Sequence, residues 1–201
     1  TQPRPYGYEP YDAHPVWTFV NYPTGMAPRH PAECMPLTWE APGFGYYGFR
    51  NGWRSGDAFL VQLYAKAFYA GAGLRANAGT FRVIGLGELW SHGTKPGGSF
   101  RFGENVVLMP EADINRGACG RVTHAETRED GSGVVTVDLS DVYAASSGAG
   151  PLYERYGNVR RPAAFADSGL AGLRSLGVDY SGRCGAPCLI AIVDKVSGVG
   201  P

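Results

Sequence analysis

From about residue 45 onward, apolar and polar positions alternate with a period of two, the spacing of a pleated strand with one face buried. In the stretch 58–65, Phe59, Val61 and Leu63 fall on one face; in 80–84, Phe81 and Val83 point one way while Thr80 and Arg82 point the other. Residues 45–50, 105–109, 156–165 and 189–196 form further short β-rich runs. Residues 121–128 and 134–139, joined by Glu129-Asp130-Gly131-Ser132-Gly133, predict a hairpin, because a Gly-containing loop of this length links two such runs. Residues 139–150 read as a loop, and helix is confined to short turns such as 152–156.

Proline recurs at positions 3, 5, 10, 15, 23, 28, 31 and 36, a density that leaves no period intact, and Tyr6, Tyr8, Tyr11, Trp17, Phe19 and Tyr22 lie among these prolines. The pattern predicts an all-β protein: a long, irregular, Pro/Tyr-rich N-terminal arm over residues 1–38, then an antiparallel β-sandwich over 39–201. An arm this apolar is expected to lie over its own domain or over a neighbour.

Composition narrows the partners. The 201 residues hold 44% hydrophobic and 18% charged side chains, enough to bury one core, and the 30 glycines and 15 prolines fit many tight turns. Lys plus Arg and Asp plus Glu number 18 each, so no basic surplus exists to hold a phosphate backbone and nucleic acid is not an expected partner. No apolar run approaches the length that spans a bilayer, and the polar, Pro-rich start at 1–11 is unlike a signal peptide, so a soluble chain is expected with any export signal already removed. Cys34, Cys119, Cys184 and Cys188 permit two disulfides in three connectivities, with a local Cys184–Cys188 bridge among them. Disulfides are favoured here over buried free thiols or zinc, and they imply an extracellular or periplasmic setting.

Familiar catalytic motifs are missing. Gly85-Leu86-Gly87-Glu88-Leu89-Trp90 has two glycines inside a strand pattern with no helix start behind them, so it is not a phosphate loop. Gly131-Ser132-Gly133 belongs to the hairpin loop rather than to a nucleophile elbow. His14, His30, His92 and His124 are too scattered for a metal cluster.

One resemblance runs through the chain. Pro36-Leu37-Thr38-Trp39, Phe44-Gly45-Tyr46-Tyr47-Gly48-Phe49-Arg50-Asn51-Gly52-Trp53, Asp57-Ala58-Phe59-Leu60 and Asn77-Ala78-Gly79-Thr80-Phe81 follow in the order and spacing of the β-sandwich of heparinase II/III-like polysaccharide lyases. Gly87-Glu88-Leu89-Trp90, Glu104-Asn105-Val106-Val107-Leu108, Gly120-Arg121-Val122-Thr123, Val137-Asp138-Leu139-Ser140-Asp141-Val142-Tyr143 and Ile192-Val193-Asp194-Lys195-Val196 extend it to about residue 197. Such enzymes break uronic-acid glycans by β-elimination, with the catalytic Tyr and His on a helical toroid and a zinc site on the sandwich. No toroid sequence is present in these 201 residues.

The resemblance also shows what has changed. Where the family typically has His-x-His-x-Asp-Ala-Gly-Ser-Phe, this chain has Gly73, Arg75 and Asn77 in place of the two imidazoles and the carboxylate. A further family Asp falls at Ser91, one position before His92, and a family His falls at Glu104, ahead of a retained Asn105. Zinc needs three or four deprotonated ligands, and a permanent cation at Arg75 opposes it, so no metal or other cofactor is expected. Arg75 is expected to pair with Glu104 or to grip a glycan carboxylate. Arg75, Asn77, Glu104, His92, Tyr46, Tyr47 and Trp90 are the candidate glycan-binding residues, the aromatics by stacking on sugar faces. For Tyr47 and for Trp53, core or cleft-wall packing is the competing assignment.

The resulting expectation is a non-catalytic extracellular module that binds an acidic polysaccharide or assembles with itself through open sheet edges or the arm. The alternative is one piece of a lyase whose toroid is a separate chain.

Overall fold

The computed structural model describes residue 25 and residues 27–67, 77–91, 105–107, 118–143 and 169–198. Two antiparallel sheets make up nearly all of them. The first is a five-stranded meander in the order β1 (Thr38–Ala41), β2 (Tyr46–Arg50), β3 (Leu60–Tyr64), β4 (Thr80–Gly85) and β5 (Glu88–Ser91). The second is a four-stranded meander of β6 (Arg121–Thr127), β7 (Gly133–Asp138), β8 (Leu170–Asp179) and β9 (Leu189–Gly198). Among the described residues, helix is limited to a 3₁₀ turn at Pro31–Glu33 and to α1 (Ser140–Tyr143). The all-β expectation holds.

Alternation builds the core. Tyr47, Phe49, Val61, Leu63 and Val83 from the first sheet meet Val135, Val137, Leu176 and Val178 from the second, all buried in one cluster. Leu139, Val142 and Tyr143 close one end of that cluster. Residues 139–143, expected as loop, are therefore a buried helical turn. Asp138 starts it by accepting from both the Ser140 backbone N–H and the Ser140 hydroxyl, a local bond that orders the turn.

The predicted hairpin is β6–β7, with a register shift at Val122/His124. Residues 105–107 are not a strand. The expected strand at 156–165 and the turn at 152–156 lie outside the described residues, as does most of the arm. Just ahead of β1, the Pro36 carbonyl accepts from Trp53 Nε1 at 3.2 Å.

The pattern did not predict the short edge strands β1 and β5, nor the ten-residue β8 that sits between β7 and β9. Its core-facing positions are Gly172, Arg174, Leu176 and Val178, while Leu173 faces out and is 39% exposed. A charge facing in and a leucine facing out erase the alternation that marks a half-buried strand.

Candidate functional site

The candidate residues fall into two places. The first is the outer face of the five-stranded sheet. Cross-strand register places Trp39, Gly48, Gln62 and Arg82 in one row, Ala41, Tyr46, Tyr64 and Thr80 in the next, and Arg50, Leu60, Ile84 and Leu89 in a third. Tyr46 and Tyr64 are directly opposed and their rings stack, with centroids 4.3 Å apart and planes 18° from parallel. The Trp39 indole lies 6.4 Å from Tyr46, tilted by 34°. Gly48 makes this row possible, because a Cβ there would sit inside the Trp39 indole.

Tyr46 is 42% exposed and Trp39 and Tyr64 are half-buried, so the row is supported from below and open to solvent. Burial, and then the ionisable hydroxyl of Tyr46 and thiol of Cys119, push the Tyr64 hydroxyl above the usual phenol range. That opposes use of Tyr64 as a proton-abstracting base. Arg50 lies 4.0 Å above the Trp53 ring, and Arg82 emerges from the same face. The three rows carry two guanidinium groups and no carboxylate.

Tyr47, by contrast, is 3% exposed and belongs to the core, so its ring offers no sugar platform. Trp90 is 64% exposed on β5, with its indole N–H donated to the Gly85 carbonyl at 2.9 Å, which fixes the ring at the sheet edge. The sequence pattern pointed to Tyr46 but not to Trp39 or Tyr64, whose roles depend on cross-strand register.

The second place is where the resemblance puts the family's metal ligands. Arg75, His92 and Glu104 lie outside the described residues. Ser91 and Asn105 do converge, with Asn105 Nδ2 donating to Ser91 Oγ at 2.8 Å. The same amide donates to the Phe81 carbonyl at 2.7 Å and accepts from the Phe81 N–H at 3.0 Å, so it pairs with β4 as a strand would. The backbone carbonyl of Asn77 accepts from the Thr80 N–H and helps turn the chain into β4. These polar groups are occupied in holding the sheet. Among the described residues, no group of three or more His, Cys, Asp or Glu is placed to hold a metal ion.

Behind Asn105 lies a residue that sequence reasoning missed. Arg174, 3% exposed, donates from Nη1 to the carbonyls of Gly79 at 2.9 Å and Asn105 at 2.6 Å and forms a two-pronged pair with Asp194. An arginine inside a strand that reads as core is the one available signal for it.

All four cysteines are free thiols, and the Cys184 thiol donates to the Ala186 carbonyl at 3.8 Å. The expected Cys184–Cys188 bridge is not formed, so the extracytoplasmic expectation loses that support. Burial and the nearby Cys184 and Asp179 push the Cys188 thiol up to about 11. Lys66 is buried beside Cys119; burial lowers the ammonium and raises the thiol, and their mutual attraction opposes both shifts. On the outer face of the four-stranded sheet, a hollow of about 240 Å³ is lined in part by Glu126, Arg128, Gly177, Asp179 and Ala191. No described helix is long and apolar enough to cross a membrane.

No family model matches this chain, and no curated protein matches it. Among solved structures, it is similar to a heparinase III gene product at 14% identity and a TM-score of 0.49, over 82% of this chain and 22% of that one. It is likewise similar to a crystal structure of heparinase III at 15% identity and a TM-score of 0.47, over 77% of this chain and 21% of that one. The chain spans about a fifth of the length of either protein.

Proposed function

We propose that this chain is a non-catalytic, extracytoplasmic glycan-binding module of heparinase II/III-like descent, with the outer face of the five-stranded sheet as its binding surface. The observation that carries the reading is the Trp39–Tyr46–Tyr64 row, three rings held in contact on an otherwise regular strand surface. Aromatic rings pack against the apolar C–H patches of sugars, and Arg50 and Arg82 on the same face favour an acidic polymer. Descent rests on the ordered segments of the sequence resemblance. The absence of catalysis is supported by Ser91 and Asn105, which stand at or beside ligand positions and spend their polar groups on each other and on Phe81.

Affinity electrophoresis through heparan, chondroitin, hyaluronan or alginate tests the reading, with a neutral glucan as the comparison. Retardation by an acidic glycan is expected, weakening with salt and abolished by Tyr46→Ala and by Trp39→Ala. Equal migration of these variants and the parent removes the outer face from the proposal. A steady rise of unsaturated-uronate absorbance from the isolated chain overturns its non-catalytic half.

A further inference from the structure

The four edges of the two sheets are not alike. β1 and β5 are four-residue strands, and β6 carries a register shift together with the charged side chains of Arg121 and Glu126. Short strands, bulges and charges are the devices by which proteins keep sheet edges from pairing with other chains. β9 has almost none of them. It pairs with β8 in unbroken register over all ten residues, contains no proline, and nine of its ten positions are exposed. Leu189, Ile192, Val193 and Val196 are 48%, 38%, 59% and 41% exposed. Its one carboxylate, Asp194, is turned back onto Arg174, leaving Lys195 as the lone outward charge.

We propose that β9 is a self-recognition edge, pairing antiparallel with β9 of a second copy about a two-fold axis at Val193 and joining two four-stranded sheets into one. The register follows from side-chain direction and charge. Directly opposed residues of an antiparallel pair share a face, so a two-fold pairing must place one residue against its own copy. An axis at Asp194 or Lys195 would oppose like charges, which destabilises a cross-strand pair. An axis at Val193 opposes valine to valine near the middle of the strand and sets Leu189 against Ser197 at the ends. Ala191 then faces Lys195 of the second copy, and Ile190 faces its Val196. Edge pairing alone gives an interface at the small end of the specific range, so the dimer is expected to be concentration-dependent rather than permanent.

The test is sedimentation velocity of the purified chain across a wide concentration range, without polysaccharide, so that it does not depend on the glycan reading. A reversible dimer is expected. Val193→Lys brings two ammonium groups together at the axis and should weaken dimerisation by about tenfold or more. Circular dichroism should be unchanged, because Val193 is exposed. Ala125→Lys on the opposite edge should leave the dimer intact. Ala191→Lys sets lysine against Lys195 of the second copy and should weaken the pair; adding Lys195→Glu should restore it, which a merely sticky surface would not do. A monomer at every concentration, a dimer indifferent to Val193→Lys, or failure of Lys195→Glu to rescue Ala191→Lys overturns the proposal.

Discussion

Arg174 and Asp194 face each other across β8 and β9 in a two-pronged pair, Nε to Oδ1 at 2.6 Å and Nη2 to Oδ2 at 2.8 Å. The Arg174 side chain is 4% exposed and that of Asp194 28%, so the pair is buried at its cationic end and wet at its anionic end. Its remaining N–H groups reach the carbonyls of Gly79 and Asn105. One side chain thus ties β8 and β9 of the second sheet to Gly79, just ahead of β4, and to Asn105.

Removing either partner strands a charge in the interior. Arg174→Met is expected to cost about 3–5 kcal/mol, because it orphans Asp194 and two carbonyls together. Asp194→Asn should cost at least as much, since it leaves the guanidinium, 4% exposed, without its counter-charge. Arg174→Lys should cost less than either, since it keeps a charge beside Asp194 although a single ammonium cannot also reach both carbonyls. Urea denaturation of the three variants measures the order, and an Arg174→Met protein as stable as the parent would show that the pair is incidental.

The same residue shows where sequence reasoning stopped. Strands with clean alternation, such as β3 with Val61 and Leu63 inward, were legible, and so was the β6–β7 hairpin from its glycine loop. β8 was not, because Arg174 takes a core-facing position that periodicity reserves for apolar groups, and its acceptors, Gly79, Asn105 and Asp194, are all distant in sequence. The candidate site was partly legible for a similar reason. Tyr46 is conspicuous in a run of aromatics, but the ring it stacks on, Tyr64, is its neighbour only through the β2–β3 register. Tyr47, adjacent in sequence, points to the other face and is lost to the core.

Gly48 offers a test of the aromatic row that removes none of its rings. A methyl group there would enter the Trp39 indole, whereas a Cβ at Gly43 has nothing within 4 Å. Gly48→Ala is expected to displace Trp39, changing its fluorescence and glycan retention, at a stability cost of about 1–3 kcal/mol. Gly43→Ala serves as the silent comparison. If Gly48→Ala binds and fluoresces as the parent does, Trp39 is not held where the row requires.

The alkaline limb of stability should depend on Cys188. Its thiol is raised from 9.0 to about 11, first by burial and then by Cys184 and Asp179. A raised value means that the unfolded chain loses its proton first, so the stabilising contribution is complete below pH 9 and is lost as pH rises toward 11. Tyr180 acts in the same direction at still higher pH, its buried hydroxyl donating to the Phe49 carbonyl. Cys188→Ser removes the titrating thiol, so its denaturation midpoint should fall less steeply than the parent's between pH 9 and 11. Parallel pH profiles for the two proteins would remove Cys188 as the cause.

Asn105 separates a sheet-holding role from a ligand-holding one. Its amide satisfies both the N–H and the C=O of Phe81 and donates to Ser91, three bonds that require one acceptor and two donors on a single side chain. Asp has the acceptor but not the donors, and an ionised carboxylate would face the Phe81 carbonyl at short range. Asn105→Asp is therefore expected to destabilise the chain by about 1–3 kcal/mol, and Asn105→Ala by a similar amount, since each leaves part of the Phe81 backbone unpaired. Lowering the pH should partly rescue Asn105→Asp, because a protonated carboxyl regains one donor, but should not rescue Asn105→Ala. Thermal melts of both variants at neutral and acidic pH, without added metal, decide the matter. If Asn105→Asp is as stable as the parent at neutral pH, the Asn105 amide is not what holds β4 in place.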